Sequence, residues 1–191
     1  MRTAPAADPA VPAGRTKACG PCTMCCKVLA VAELEKPMGA PCAHCRPGQG
    51  CGIYPERPVA CRTFQCVWLL DPEMPHRFRP DQSKVMLEQD HEGRRLIARC
   101  DPANPLAWRR NPIHAALKAY AAKEWGSGRI VVAVAGRHVW LIAPHEDVDV
   151  GEIDPDAAIS VVERPDGGVE VTITAGTELD PERRQRVKAR P

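Results

Sequence analysis

The chain has 191 residues and a formal charge of +2, with charged side chains of both signs interspersed along most of its length. That balance leaves no global field to draw nucleic acid or an anionic membrane, though it leaves room for a specific protein partner. The length suits one domain with a proper core, or a small module joined to a modest second unit. The second arrangement is expected, because nine of the ten cysteines fall between Cys19 and Cys66.

In chain order, residues 1–16 are rich in Pro and Ala with almost nothing bulky to bury, which reads as a disordered tail. They lack the apolar core of a secretory signal, and no later run approaches a membrane span, so the expected location is cytoplasmic. In a reducing compartment, clustered cysteines read as metal ligands or redox catalysts before they read as a disulfide scaffold.

A cysteine-rich, metal-binding module is expected over residues 17–68. Cys19-Gly20-Pro21-Cys22 has the letters of a thioredoxin-type redox site. Such a site follows a buried strand inside a βαβ unit, whereas here a disordered tail precedes it and two further cysteines follow. The metal reading fits the spacing better. A helical turn after Pro21 would put Cys19, Cys22 and Cys26 on one face at i, i+3 and i+7, with Cys25 rotated off its centre. Adjacent Cys25 and Cys26 diverge too far to share one tetrahedral ion comfortably, which suggests a polynuclear centre or two sites.

Leu29, Val31, Ala32 and Leu34 allow a short helix or strand, ended by Pro37, Gly39 and Pro41. Cys42-Ala43-His44-Cys45 again has the spacing of a metal knuckle, and Cys51 follows a Pro-Gly-Gln-Gly turn. His44 reads as an exposed loop histidine between thiols. Cys61 and Cys66 are close enough to share a site on a bent segment. Four thiolates around a zinc ion or an oxidised four-iron cluster leave about −2 of net charge, costly to bury without nearby cations. Arg57 and Arg62 are candidates to supply that charge from just outside the ligands.

The run CxxCxxCC, a spaced cysteine, then C-x-I-Y-x-x-R-P-x-x-C-R-x-F-x-C resembles the zinc- or iron-chelating CxxCxxCC family of bacterial cysteine-cluster proteins. Cys19, Cys22, Cys25, Cys26, Cys42 or Cys45, Cys51, Ile53, Tyr54, Arg57, Pro58, Cys61, Arg62, Phe64 and Cys66 carry the match. A related cluster in flagellin lysine-N-methylases looks like an iron–sulfur site. The resemblance covers residues 18–68 and implies metal ligation. The family pattern has eight cysteines where this segment has nine, so Cys42 and Cys45 compete for one place.

Beyond Trp68 the pattern changes. Leu69 to Pro80 reads as a Pro-punctuated linker or surface loop, and an α+β hairpin and helix unit is expected over 81–176. Ser83–Asp90 and Arg94–Cys100 alternate as strands around His91-Glu92-Gly93. Asn111 and Pro112 read as an N-cap and first helical position, Ile113, Leu117, Tyr120 and Ala121 share one face, and Gly126 caps the end. Arg129–Ala135 and His138–Ala143 form a hairpin about Gly136, and Ile159–Arg164 and Val169–Thr174 another about Pro165–Gly168. The fold class is therefore α+β, with an antiparallel sheet of hairpins and one packed helix. His145 to Asp156, with six carboxylates, reads as a solvated loop or a loose cation site. Residues 177–191 read as a basic tail. Lone Cys100 reads as a small buried hydrophobe, or as a ligand completing a site between the two units.

No phosphate loop, nucleophile elbow, zincin motif or dinucleotide fingerprint is present. The sequence therefore favours a metal-binding protein over an enzyme, with Cys19, Cys22, Cys25, Cys26, Cys42, Cys45, Cys51, Cys61 and Cys66 as candidate ligands. C-x₂-C-x₂-C resembles the ferredoxin run and slightly favours an iron–sulfur cluster. Two C-x₂-C pairs, Cys19/Cys22 and Cys42/Cys45, would instead suit zinc. Alternatives are a zinc-stabilised interaction module without redox role, a thiol oxidoreductase, and a methylase-related enzyme.

Overall fold

A computed structural model describes residues 17–90, 92–153, 157–165 and 168–174, and the backbone of 185–188. The proposed N-terminal tail, His91 of the first hairpin turn, the middle of the last turn and most of the C-terminal tail lie outside them.

The cysteine-rich part is built of short pieces. Helix α1 spans Met24–Val28, a 3-10 turn Ala32–Leu34 follows, and strands β1 (Cys45–Arg46) and β2 (Gly50–Cys51) form a two-stranded ribbon. Helices α2 (Val59–Thr63), α3 (Val67–Leu70) and α4 (Pro80–Ser83) lead to the sheet. The stretch expected as a linker is thus partly helical, and Trp68 and Leu69 are buried. Met24, Val28, Cys66, Trp68 and Leu69 pack with Met86, which fastens this region to the sheet.

The main sheet has the order β3-β4-β5-β6-β7, from Val85–Gln89, Arg95–Cys100, Ile130–Ala135, His138–Ile142 and Asp147–Glu152. Both expected hairpins are present, but β4 and β5 pair parallel, so the sheet is mixed. The chain returns between these parallel strands through α5 (Ile113–Glu124), since parallel neighbours require a crossover. Pro112 occupies the N-cap position assigned to Asn111, and Gly126 has the positive φ of a helix-ending glycine. Ile113, Leu117 and Ala121 press against Val85, Leu87, Ala98, Val131 and Trp140, with Trp108 wholly buried among them.

The opposite face of the sheet is also covered, which is why β5, IVVAVA, is apolar on both sides rather than alternating. The third hairpin, β8 (Ala158–Glu163) and β9 (Val169–Thr174), does not extend the main sheet. With β10 (Gln185–Lys188) it forms a separate three-stranded sheet of order β10-β9-β8, so part of the expected basic tail is paired strand. Val169, Val171 and Ile173 pack on Val132, Leu141 and Val148. The expected acidic loop contains β7, whose Val148 and Val150 are buried against the second sheet while the alternating Asp147 and Asp149 lie on its other face, Asp147 toward α5.

The cysteine-rich region shares that second face. Met86 and Glu88 of β3 lie beside Arg99 and Ile97 of β4; Glu88, Ile97 and Arg99 line the floor under the cysteines, and Met86 packs with Cys66. No helix among the described residues is long and apolar enough to cross a membrane.

Candidate metal centre

All ten cysteines are unpaired thiols. Seven of them, Cys19, Cys22, Cys25, Cys26, Cys42, Cys51 and Cys61, line a cleft of about 710 Å³ between the cysteine-rich region and strands β3 and β4. Cys45 and Cys66 are not among its lining residues, and Cys66 is buried.

The helical face expected to unite Cys19, Cys22 and Cys26 does not form. Gly20 takes a φ of +53°, and the Cys22 N–H donates to the Cys19 carbonyl at 3.0 Å, so these two residues lie on a turn before α1 begins. Neither does the turn have the strand and long helix of a thioredoxin site around it. Helix α1 instead carries Cys25 and Cys26, whose side chains leave the axis about 100° apart yet keep their sulfurs in hydrogen-bond contact. Cys25 packs with Cys19, Cys22 and Cys66. Cys26 is tied to the second cysteine cluster, because its carbonyl accepts the Cys42 N–H at 2.9 Å. Cys45 in turn stands opposite Cys51 in the ribbon.

Backbone N–H groups point at several sulfurs. Cys66 is the N-cap of α3, and its sulfur accepts from Leu69 and Trp68; burial nevertheless pushes the thiol up to about 11. Burial likewise raises Cys22, whose sulfur accepts the N–H groups of Met24 and Asp81, and Cys51, which accepts that of Ile53. Cys45 and Cys61 are raised by burial and then by neighbouring thiols. The exception is Cys26. Its sulfur accepts a hydrogen bond from the Cys25 thiol and another from Cys45, with Lys36 and Arg57 nearby, and it is brought down to about 6. Cys25, the donor, is pushed up by that hydrogen bond and by burial.

Lys36, which the sequence reading passed over, is the cation best placed among these groups. It is 7% exposed, and its ammonium donates to the carbonyls of Leu29 and Pro37. The charges it faces are the thiols of Cys42, Cys26, Cys25 and Cys61; burial lowers its own proton affinity. Its signal in the sequence was slight, a lone lysine ending an apolar run. Arg57 is where the sequence reading put it. Its guanidinium lies 3.7 Å over the Tyr54 ring, donates to the Tyr54 carbonyl at 2.9 Å, and acts on Cys51 and Cys61. Arg62, by contrast, is exposed and does not line the cleft. On the far wall Arg99 pairs with Glu88 at 2.6 Å and Arg95 with Asp90 at 3.0 Å.

Elsewhere, Cys100 is buried in the main core with Trp108 and Ile113, apart from the other nine. Two carboxylates of β7 have partners nearby: Asp147 meets Lys118 at 2.7 Å and His114 at 2.9 Å, and Asp149 meets His138 at 2.6 Å. His44 is exposed at the rim of the cleft.

Among the described residues, no three or more His, Cys, Asp or Glu side chains converge as a metal site. The donor chemistry nonetheless suits a thiophilic ion or cluster. Free thiols, N–H groups aimed at sulfur and buried or half-buried cations are what a metal–thiolate centre needs around it. No family model, curated protein or solved structure matches the chain.

Proposed function

We propose that residues 17–66 hold a cysteine-ligated metal centre of the CxxCxxCC type, an iron–sulfur cluster in preference to zinc. The observation carrying this reading is the Lys36 ammonium, nearly buried against four thiols from three separate segments of chain. A buried cation is costly unless it meets negative charge, and metal-bound thiolates provide it. When bound, an iron–sulfur cluster would supply one-electron chemistry and zinc would supply a structural cross-link. The protein's own part is to present the thiols, aim N–H groups at Cys22, Cys51 and Cys66, and place Lys36 and Arg57 to offset the charge.

The test is purification without oxygen, followed by elemental analysis and visible spectroscopy. Broad visible absorbance that bleaches on reduction, with iron and sulfide, is expected. A colourless protein with stoichiometric zinc would replace iron–sulfur by zinc. Metal-free protein that takes up neither iron nor zinc would overturn the reading.

A second reading makes the ion purely structural. Its support is the scarcity of core: buried apolar side chains between residues 17 and 65 are Met24, Val28 and Val31. So small a core leaves the metal to hold the region together. Under that reading chelation unfolds the region and no redox signal accompanies it.

A further inference from the structure

We propose that residues 53–63, the stretch that carries Cys61, are a gate over the cysteine cleft through which metal enters and leaves, and that Glu33 is the latch that holds it shut. This rests on the metal reading above and adds how the centre is loaded and emptied.

The gate is defined by where the chain is anchored. On its N-terminal side Cys51 pairs with Cys45 in the ribbon, and the Gly52 N–H donates to the His44 carbonyl at 2.8 Å. On its C-terminal side Phe64 packs in the cluster with Met24, Val28 and Trp68, and Cys66 is buried. Between these anchors no side chain is buried, although Ile53, Tyr54, Arg57 and Cys61 line the cleft. A wall with no core behind it opens at little cost, because the free energy of local opening grows with the apolar surface that opening exposes.

Internal bonds let the stretch move as a unit. The Glu56 N–H donates to the Ile53 carbonyl at 2.9 Å, and the Cys61 and Arg62 N–H groups donate to that of Pro58 at 3.0 and 3.1 Å. Arg57 lies over the Tyr54 ring and donates to the carbonyls of Tyr54 at 2.9 Å and Cys61 at 3.4 Å, which ties the two halves together. Pro55 and Pro58 fix two φ angles within it. Gly52 and Phe64, at its ends, are placed to absorb the rotation.

The latch comes from outside the stretch. Helix α2 begins after Pro58 with no side-chain cap of its own, and the first N–H groups of a helix have no partner within it. The Glu33 carboxylate accepts the Ala60 N–H at 3.2 Å across 27 residues of sequence, a charge-assisted bond. Glu33 stands on the 3-10 turn Ala32–Leu34, which is closed by the bridge between Val31 and Lys36. Lys36 is buried beside the thiols while Glu33 is exposed, so one turn supplies both the cation under the cleft and the catch for its wall. A surface hydrogen bond competes with water and opens readily. Metal bonded to Cys61 would then hold the gate more firmly than the latch alone.

The test uses the full chain handled without oxygen, comparing wild type with Glu33→Ala and with Glu33→Gln, whose amide oxygen retains an acceptor for the Ala60 N–H. Two quantities are read: amide exchange over residues 53–63 in the metal-free protein, and the rate at which protein loaded with iron or zinc gives up its metal to excess EDTA. Circular dichroism reports the fold of each variant. Glu33→Ala should exchange about 5- to 10-fold faster in this stretch, with the main sheet unchanged, and should lose metal faster by a similar factor while binding as much at saturation. Glu33→Gln should stay close to wild type in both. Unchanged exchange in Glu33→Ala, acceleration spread equally through the sheet, or faster exchange with an unchanged rate of metal loss overturns the gate and leaves the metal reading standing. Wild type that takes up neither iron nor zinc overturns both.

Discussion

A Cβ added to Gly50 would stand 2.9 Å from the carbonyl oxygen of Gly20. Gly20 lies between Cys19 and Cys22, and Gly50 immediately precedes Cys51, so two glycines mark where the two cysteine clusters touch. Gly50 also has a φ of +104°, which an L side chain rarely adopts. Gly50→Ala is thus opposed by both contact and backbone. We expect it to cost about 1–3 kcal/mol and to lower metal content, read from urea unfolding and elemental analysis. An alanine variant as stable and as metal-rich as wild type would refute the close approach.

The two basic residues facing the thiols should matter and the exposed one should not. Lys36→Met retains the apolar stem of the side chain but removes its charge, and should weaken metal retention about 10–100-fold against a competing chelator. Arg57→Ala should act in the same direction. Arg62→Ala, at a residue exposed to solvent and outside the cleft, should stay close to wild type. Equal losses from Lys36→Met and Arg62→Ala would contradict this assignment.

Lys27 of α1 meets Asp101, just after β4, at 2.9 Å, joining the cysteine-rich region to the sheet. Burial alone would raise the Asp101 carboxyl, but the Lys27 ammonium and the Ala103 N–H outweigh it and hold the group below the usual carboxylate range. Its contribution to stability is therefore complete above about pH 4 and is lost as pH falls through the lower folded-state value. Lys27 is half-exposed, so screening reduces the worth of the pair. Asp101→Asn should destabilise by about 1–2 kcal/mol at pH 7, and the gap to wild type should close toward pH 2. Urea unfolding at several pH values checks both, and a gap that widens on acidification would be the wrong sign.

Leu117 is 1% exposed and packs on the sheet face away from the cleft. Leu117→Ala should cost about 2–5 kcal/mol in urea unfolding while leaving the metal bound per folded chain unchanged. A proportionate loss of metal from folded protein would show that α5 supports the cleft directly.

Anaerobic removal of metal should loosen residues 17–66 selectively, because they bury little apolar surface of their own. Hydrogen exchange should accelerate there while β4, β5 and β6, covered on both faces, keep their protection. Uniform acceleration through the sheet would mean that the two parts unfold together.

Much of the scaffold was legible because it depends on local pattern. Alternating residues in β3, β4 and β9, the glycine between β5 and β6, and the Ile113/Leu117/Ala121 stripe each mark an element without reference to any other. Pairing was less legible. Nothing in IVVAVA says that β5 lies parallel to β4, and nothing in β8 or β9 says that they leave the main sheet to cover it. The alternation in Asp-Val-Asp-Val was also visible, yet the high charge of the stretch obscured a strand whose carboxylates meet Lys118, His114 and His138 from elsewhere.

By itself the sequence determined the chemistry on offer: nine closely spaced thiols, an α+β scaffold, and an arginine, Arg57, among the cysteines. Tertiary structure decided which of these groups meet. It broke the expected helical face at Gly20, turned Arg62 to solvent, and brought Lys36 in among the thiols. It also packed Cys25 with Cys66 and tied the Cys26 carbonyl to the Cys42 N–H, because only the packed chain supplies partners from segments distant in sequence.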